Sequence, residues 1–107
     1  RRHRPLSDDT LLARLHYRRA SARLRTGLHV AAIIDLDQAI SLKPNDARPY
    51  LQKGLALLQI NDFVEASRTL LIGSRLTPTD GRLSKRFVVS LEGIRHAWQA
   101  YRSGSHS

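Results

Sequence analysis

The chain has 107 residues, no cysteine and no methionine, and its eighteen Lys and Arg outweigh nine Asp and Glu for a formal charge of +9. That length allows one small domain with a modest core and leaves no room for a catalytic domain beside a regulatory one. Lack of cysteine removes disulfides and thiolate metal sites, and the longest apolar run, Val30 to Ile34, is too short to cross a bilayer, so a soluble protein with no membrane partner is expected.

The chain opens on Arg-Arg-His-Arg-Pro-Leu, which is no secretory leader. With no methionine anywhere, it reads as a segment of a longer protein. Residues 1–12 form a basic segment that runs into the first helix. From Leu11 to Leu24 apolar residues recur at helical spacing, and the pattern breaks at Thr26-Gly27, where glycine can take a left-handed cap. Val30 to Leu42 resumes it, with Ile33, Leu36 and Ile40 on one side and Ala32 and Ala39 as small packing residues. It stops ahead of Pro44, whose ring disfavours helix in the preceding residue. A third helix is expected after Asp46 as N-cap, with Pro49 in its first turn, and Asp62-Phe63-Val64-Glu65 reads as a capping box opening a fourth. After Asp80, Leu83, Phe87, Leu91, Ile94, Trp98 and Tyr101 are spaced by three or four and mark one face of a helix of about twenty residues. That helix is expected over 81–102, with 103–107 as an unstructured tail. The fold class is all-α.

Residues 13–46 overlay 47–80 without a gap, and the segment "AISLKPND" at 39 returns in kind as "GSRLTPTD" at 73. Ala13 falls on Ala47, Ala22 on Ala56, Leu24 on Leu58, Ala32 on Ala66, Leu36 on Leu70, Leu42 on Leu76 and Pro44 on Pro78. A period of thirty-four closed by proline resembles the tetratricopeptide repeat, a helix-turn-helix unit that stacks into an α-α superhelix, and the resemblance covers 68 of the 107 residues. Its small positions fall on Ala20 and Gly54, Ala32 and Ala66, and Ala39 and Gly73. The first copy departs from it with Arg19 and Arg23 at positions that are normally apolar, which implies an edge, or a contact with a partner or with an earlier repeat outside this chain. The helix over 81–102 is then expected to cap the solenoid, or to dock on another subunit through Phe87, Leu91, Trp98 and Tyr101.

Charge is placed unevenly. Residues 1–25 hold eight arginines against Asp8 and Asp9; residues 26–80 hold five basic and six acidic groups; residues 81–107 hold five basic groups against Glu92. Fifteen arginines to three lysines favour bidentate capture of carboxylate or phosphate. The resemblance implies that the first helix of each repeat lines a concave groove. That places Arg14, Tyr17, Arg18, Ser21 and Arg25 there from the first copy, and Arg48, Leu51, Gln52, Leu55 and Gln59 from the second. Arg82, Lys85 and Arg86 continue the groove on the last helix. Such a groove should attract an acidic or helical segment of a partner protein, with Leu51 and Leu55 as an apolar floor. The chaperone-tail clamp of the family is not reproduced, since Tyr17, Ser21 and Gln52 stand where lysine and asparagine are needed, although Arg82 and Arg86 are compatible.

No chemistry is legible. His3, His16, His29, His96 and His106 lack ligand spacing, Asp35 and Asp37 point to different faces of one helix, and no phosphate loop or nucleophile-base pair occurs, so neither enzyme activity, metal nor cofactor is expected. Arg18-Arg19-Ala20-Ser21 resembles a basophilic kinase site but lies inside a helix. The expected function is a protein-binding scaffold. The alternatives are an architectural subunit of a large cytoskeletal or ciliary assembly and an electrostatic nucleic-acid binder. A cytoplasmic setting is expected, with cytoskeletal or ciliary placement for the architectural alternative.

Overall fold

The computed structural model describes residues 7–78 and 81–104. Five helices follow in order: α1 (Asp8–Arg25), α2 (His29–Leu42), α3 (Arg48–Gln59), α4 (Phe63–Ser74) and α5 (Arg82–Arg102). No strand occurs among the described residues. Helix α1 starts earlier than its apolar pattern does, because the Ser7 hydroxyl accepts from the Thr10 amide at 3.1 Å and Asp8 and Asp9 sit on the positive end of the helix. It ends as expected at Gly27, at φ +79°. There the amides of Gly27 and Leu28 donate back to the carbonyls of Leu24 and Arg23 at 3.1 and 2.8 Å. One period later Asn61, at φ 62°, closes α3 in the same way: the Asn61 and Asp62 amides donate to Leu58 and Leu57. Asparagine is the non-glycine residue that tolerates this conformation best, so the two turns match although their residues differ.

The start of α3 differs by one residue from expectation. Ala47 is the N-cap, while the Asp46 carboxylate accepts from the Arg48 amide at 3.2 Å. The box at α4 works in one direction only. Asp62 accepts from the Glu65 amide at 3.3 Å, but Glu65 turns outward to Arg68 at 2.8 Å, because the Asp62 amide is already held by Leu57.

Consecutive helices pack as hairpins, α1 on α2 and α3 on α4, with α2 also against α3 and α5 against α4 and α3. The chain is an all-α superhelix of stacked hairpins. Its radius of gyration, 15.3 Å, exceeds the roughly 13 Å of a compact chain of this length, as end-to-end stacking requires. Ala20, Ala32, Gly54 and Ala66, the small residues at matched places, are all buried. They are small because helices cross there: a methyl group on Gly54 would run into Cγ and Cδ2 of the fully buried Leu70, and one on Gly73 would lie 2.5 Å from the Phe87 ring and 2.6 Å from Tyr50 Cβ.

Phe87 is therefore a core residue and not an exposed docking anchor, since the space left by Gly73 takes its ring. Leu91 likewise packs on the main cluster, which joins Tyr50, Leu51 and Leu57 of α3, Ala66 and Leu70 of α4, and Phe87 and Ile94 of α5. Trp98 and Tyr101 stay 43% and 39% exposed, and both lean on Phe63 at the start of α4, with ring centroids 5.5 and 5.4 Å away. Ser103 and Gly104 form a turn closing α5, with amides donating to Gln99 and Tyr101 at 3.1 and 3.3 Å. The rest of the expected tail, together with His3, His106 and Asp80, lies outside the described residues.

Candidate functional site

The first helices of the two hairpins, α1 and α3, and the first half of α5 bound a row of three clefts. The first, about 410 Å³, is lined by Arg14, Tyr17, Arg18, Lys43, Asp46 and Arg48, among others. The second, about 270 Å³, shares Tyr17 and Arg48 with it and adds Leu51, Gln52, Arg82, Leu83 and Arg86. The third, also about 270 Å³, shares Arg82 and Arg86 and adds Lys85, Val89 and Ser90. Nine of the residues expected in the groove thus come together along one face: Arg14, Tyr17, Arg18, Arg48, Leu51, Gln52, Arg82, Lys85 and Arg86. Ser21, Arg25, Leu55 and Gln59 do not line the clefts. Ser21 is half-buried, Arg25 is exposed in the last turn of α1, and Leu55 packs against the main core cluster, so its share of an apolar floor passes to Leu83.

Electrostatically the face has two kinds of cation. Arg48 is compensated: its Nε and Nη2 donate to Asp46 Oδ1 and Oδ2 at 3.2 and 3.1 Å, and its guanidinium lies 5.6 Å from the centre of the Tyr17 ring. The Asp46 carboxylate raises the Arg48 pKa. The side chains of Arg14, Arg18, Lys43, Arg82, Lys85 and Arg86 make no ion pair or hydrogen bond among the described residues. Sequence reasoning missed Lys43 and gave Asp46 only a capping role. The turn after α2 carries both into the first cleft, and only the hairpin crossing reveals that.

Away from this face Arg19, Arg23, Lys53 and Arg68 are paired with carboxylates, whereas Arg25, Arg75, Arg95 and Arg102 make no ion pair among the described residues. Asp35 is 1% exposed, and Arg19 holds it from Nε at 3.1 and 3.0 Å and from Nη2 at 2.7 Å. Arg23 Nη1 donates to its second oxygen at 2.8 Å, and His16 Nδ1 lies 3.3 Å from the first. Hydrogen bonding from Arg19 lowers the Asp35 pKa in spite of burial, which acts the other way; His16 and the charges of Arg19 and Arg23 add to the lowering. Arg19 and Arg23 therefore depart from the apolar pattern in order to tie α1 to α2, and the implied contact with a partner is not needed to explain them. Two residues on, Asp37 reaches the other way and holds Lys53 of α3 at 2.6 Å. The two carboxylates do point to different sides, and each ties α2 to a neighbour.

No group of His, Cys, Asp and Glu among the described residues could hold a metal ion, and no helix there is long and apolar enough to span a membrane. Fold and site together define a class: an all-α hairpin superhelix with a cleft-lined face that carries unpaired cations. No protein-family model matches the chain. Over 73 residues it is 30% identical to a protein described as Protein SGT1 homolog from Oryza sativa subsp. japonica, a stretch that takes in 68% of this chain and 20% of that protein. The chain thus spans about a fifth of the length of the curated relative it matches.

Proposed function

We propose that this chain is a non-catalytic protein-binding module of the tetratricopeptide-repeat class, which captures an acidic segment of a partner protein on its cleft-lined face. The observation that carries this reading is the gathering of six unpaired cations on one cleft-lined face. Arg19, Arg23, Lys53 and Arg68 are each held by a carboxylate of their own or a neighbouring helix. Six on the cleft face are left for a ligand. Unpaired arginines on a preformed surface favour bidentate capture of carboxylates and speed encounter with an acidic partner. The thirty-four-residue register and the burial of small residues at matched places support the class. A nucleic acid is the weaker fit, since Tyr17 is the one aromatic side chain lining the clefts and Arg48 already covers it.

The test is a salt series comparing an acidic peptide with an RNA of equal charge. Preference for the peptide that survives moderate salt is expected; loss of all binding with no preference would count against the module. Replacing Arg14 and Arg18 by Glu should abolish peptide capture with helicity by circular dichroism unchanged, because both side chains are exposed. Unaltered capture would remove the groove from the account.

A further inference from the structure

The cleft face is not uniformly positive. At one end stand Arg14, Arg18 and Lys43, at the other Arg82, Lys85 and Arg86. Between them lies the second cleft, bounded on the α5 side by Arg82 and Arg86, where Arg48 is held by Asp46 and laid over Tyr17, and where Leu83 supplies an apolar wall beside Gln52. Two groups of free cations, separated by a stretch whose own Arg48 is already paired, are poorly matched to a continuous acidic run, whose middle charges would face that occupied arginine and hydrocarbon. They match a ligand whose charge is divided in the same way.

Resting on the binding function proposed above, we infer that the partner segment is bipartite: two acidic groups flank an apolar side chain, which sits against Leu83. Packed helices lie roughly 9 Å apart, so the span from α1 across α3 to α5 is on the order of 18 Å. An extended chain rises about 3.3 Å per residue, which places the two acidic groups about five residues apart. Arg48 offers nothing to a third acidic group at the centre, since Asp46 already holds its guanidinium.

Two end-capped heptapeptides of one composition test this by fluorescence anisotropy on the intact chain: Asp-Asp-Ser-Leu-Ser-Asp-Asp and Leu-Ser-Ser-Asp-Asp-Asp-Asp. The divided peptide is expected to bind about tenfold more tightly than the contiguous one. Arg14→Ala with Arg18→Ala, and separately Arg82→Ala with Arg86→Ala, should each weaken it by a similar factor. Replacing one acidic pair of the peptide by serines should cancel the effect of one arginine pair only, and replacing the other pair should cancel the other. Equal binding of the two peptides, or both arginine pairs responding to the same acidic pair, overturns the bipartite inference while leaving an acidic-segment binder in place. Failure of both peptides to bind at low salt overturns the groove itself. Tighter binding of a single-stranded RNA of equal charge would assign the face to nucleic acid.

Discussion

At the scale of single residues the most consequential feature is the buried Asp35 carboxylate. Converting Asp35 to Thr, the residue one period later at Thr69, strips two arginines of their partner and should cost about 1–3 kcal/mol in urea unfolding. Arg23→Leu, copying Leu57, leaves the buried carboxylate short of one donor and should also destabilise. The double variant should lose less than the sum of the two, with a coupling energy above about 0.5 kcal/mol, because a side chain without charge then faces a side chain without charge. Strict additivity would show that the two groups do not act together. The pH dependence follows from the same contact. Since the folded pKa of Asp35 is held below its ordinary value, its contribution is complete above the unfolded value near 4 and is lost as pH falls through the folded value. Asp35→Asn should therefore flatten the acid limb of the stability curve measured between about pH 5 and 2. Little of this was legible beforehand. Arg19 and Arg23 stood out as departures from an apolar pattern, but their partner lies one helix away, and only the register of α1 against α2 brings it near. A signal did exist: His16, Arg19, Arg23 and Asp35 all change together in the second copy, to Tyr50, Lys53, Leu57 and Thr69, as members of one contact would.

At the scale of elements, sequence and structure agree most closely where a backbone constraint forces a residue type. Gly27 and the proline-terminated ends marked the turns correctly; Asn61 was passed over because asparagine signals a left-handed turn less strongly than glycine does. Ser7 was passed over because the apolar pattern starts only at Leu11. Close approach makes the sharper prediction. Gly54→Ala should destabilise by about 1–3 kcal/mol, because Leu70 is fully buried and cannot move away from the new methyl group. Gly93→Ala, also within a helix but with nothing within 4 Å of the added carbon, should stabilise by up to about 1 kcal/mol through helix propensity alone. Thermal melts of the two variants moving in the same direction would contradict the packing described. The same register explains why α5 runs on for 21 residues where α3 stops at 12. The third-period equivalent of Asn61 is Arg95, and the equivalent of Gly54 is Val88, so neither the turn nor the close crossing of another hairpin is provided for.

For the whole molecule, cohesion is distributed unequally along the superhelix. The main apolar cluster joins α3, α4 and α5, with Ile33 and Ile40 of α2 packed against it, whereas the separate cluster between α1 and α2 holds only Ala20, Ala32 and Leu36, supported by Tyr17 and Leu24. Much of what binds the first hairpin is the ionic contact at Asp35, and such a contact offsets the desolvation of its own charges before it adds stability. In a stacked array each unit rests on its neighbours, so the first hairpin, resting only on α3 among the described residues, should open as a unit while α3 to α5 stay folded. Hydrogen exchange followed by mass spectrometry should find amides of α1 and α2 exchanging through a smaller opening free energy than those of α3 and α4. Lowering the pH through the range where Asp35 protonates should widen that gap, because the stabilising charge is withdrawn from the first hairpin and not from the apolar cluster. Opening of α1 would also remove Arg14, Tyr17 and Arg18 from the cleft face while leaving Arg82 and Arg86 in place. Uniform protection along all five helices, or loss of α3 to α5 together with α1 in a single acid transition, would show that the hairpins cohere as one unit and that the ionic contact does not set the weak end.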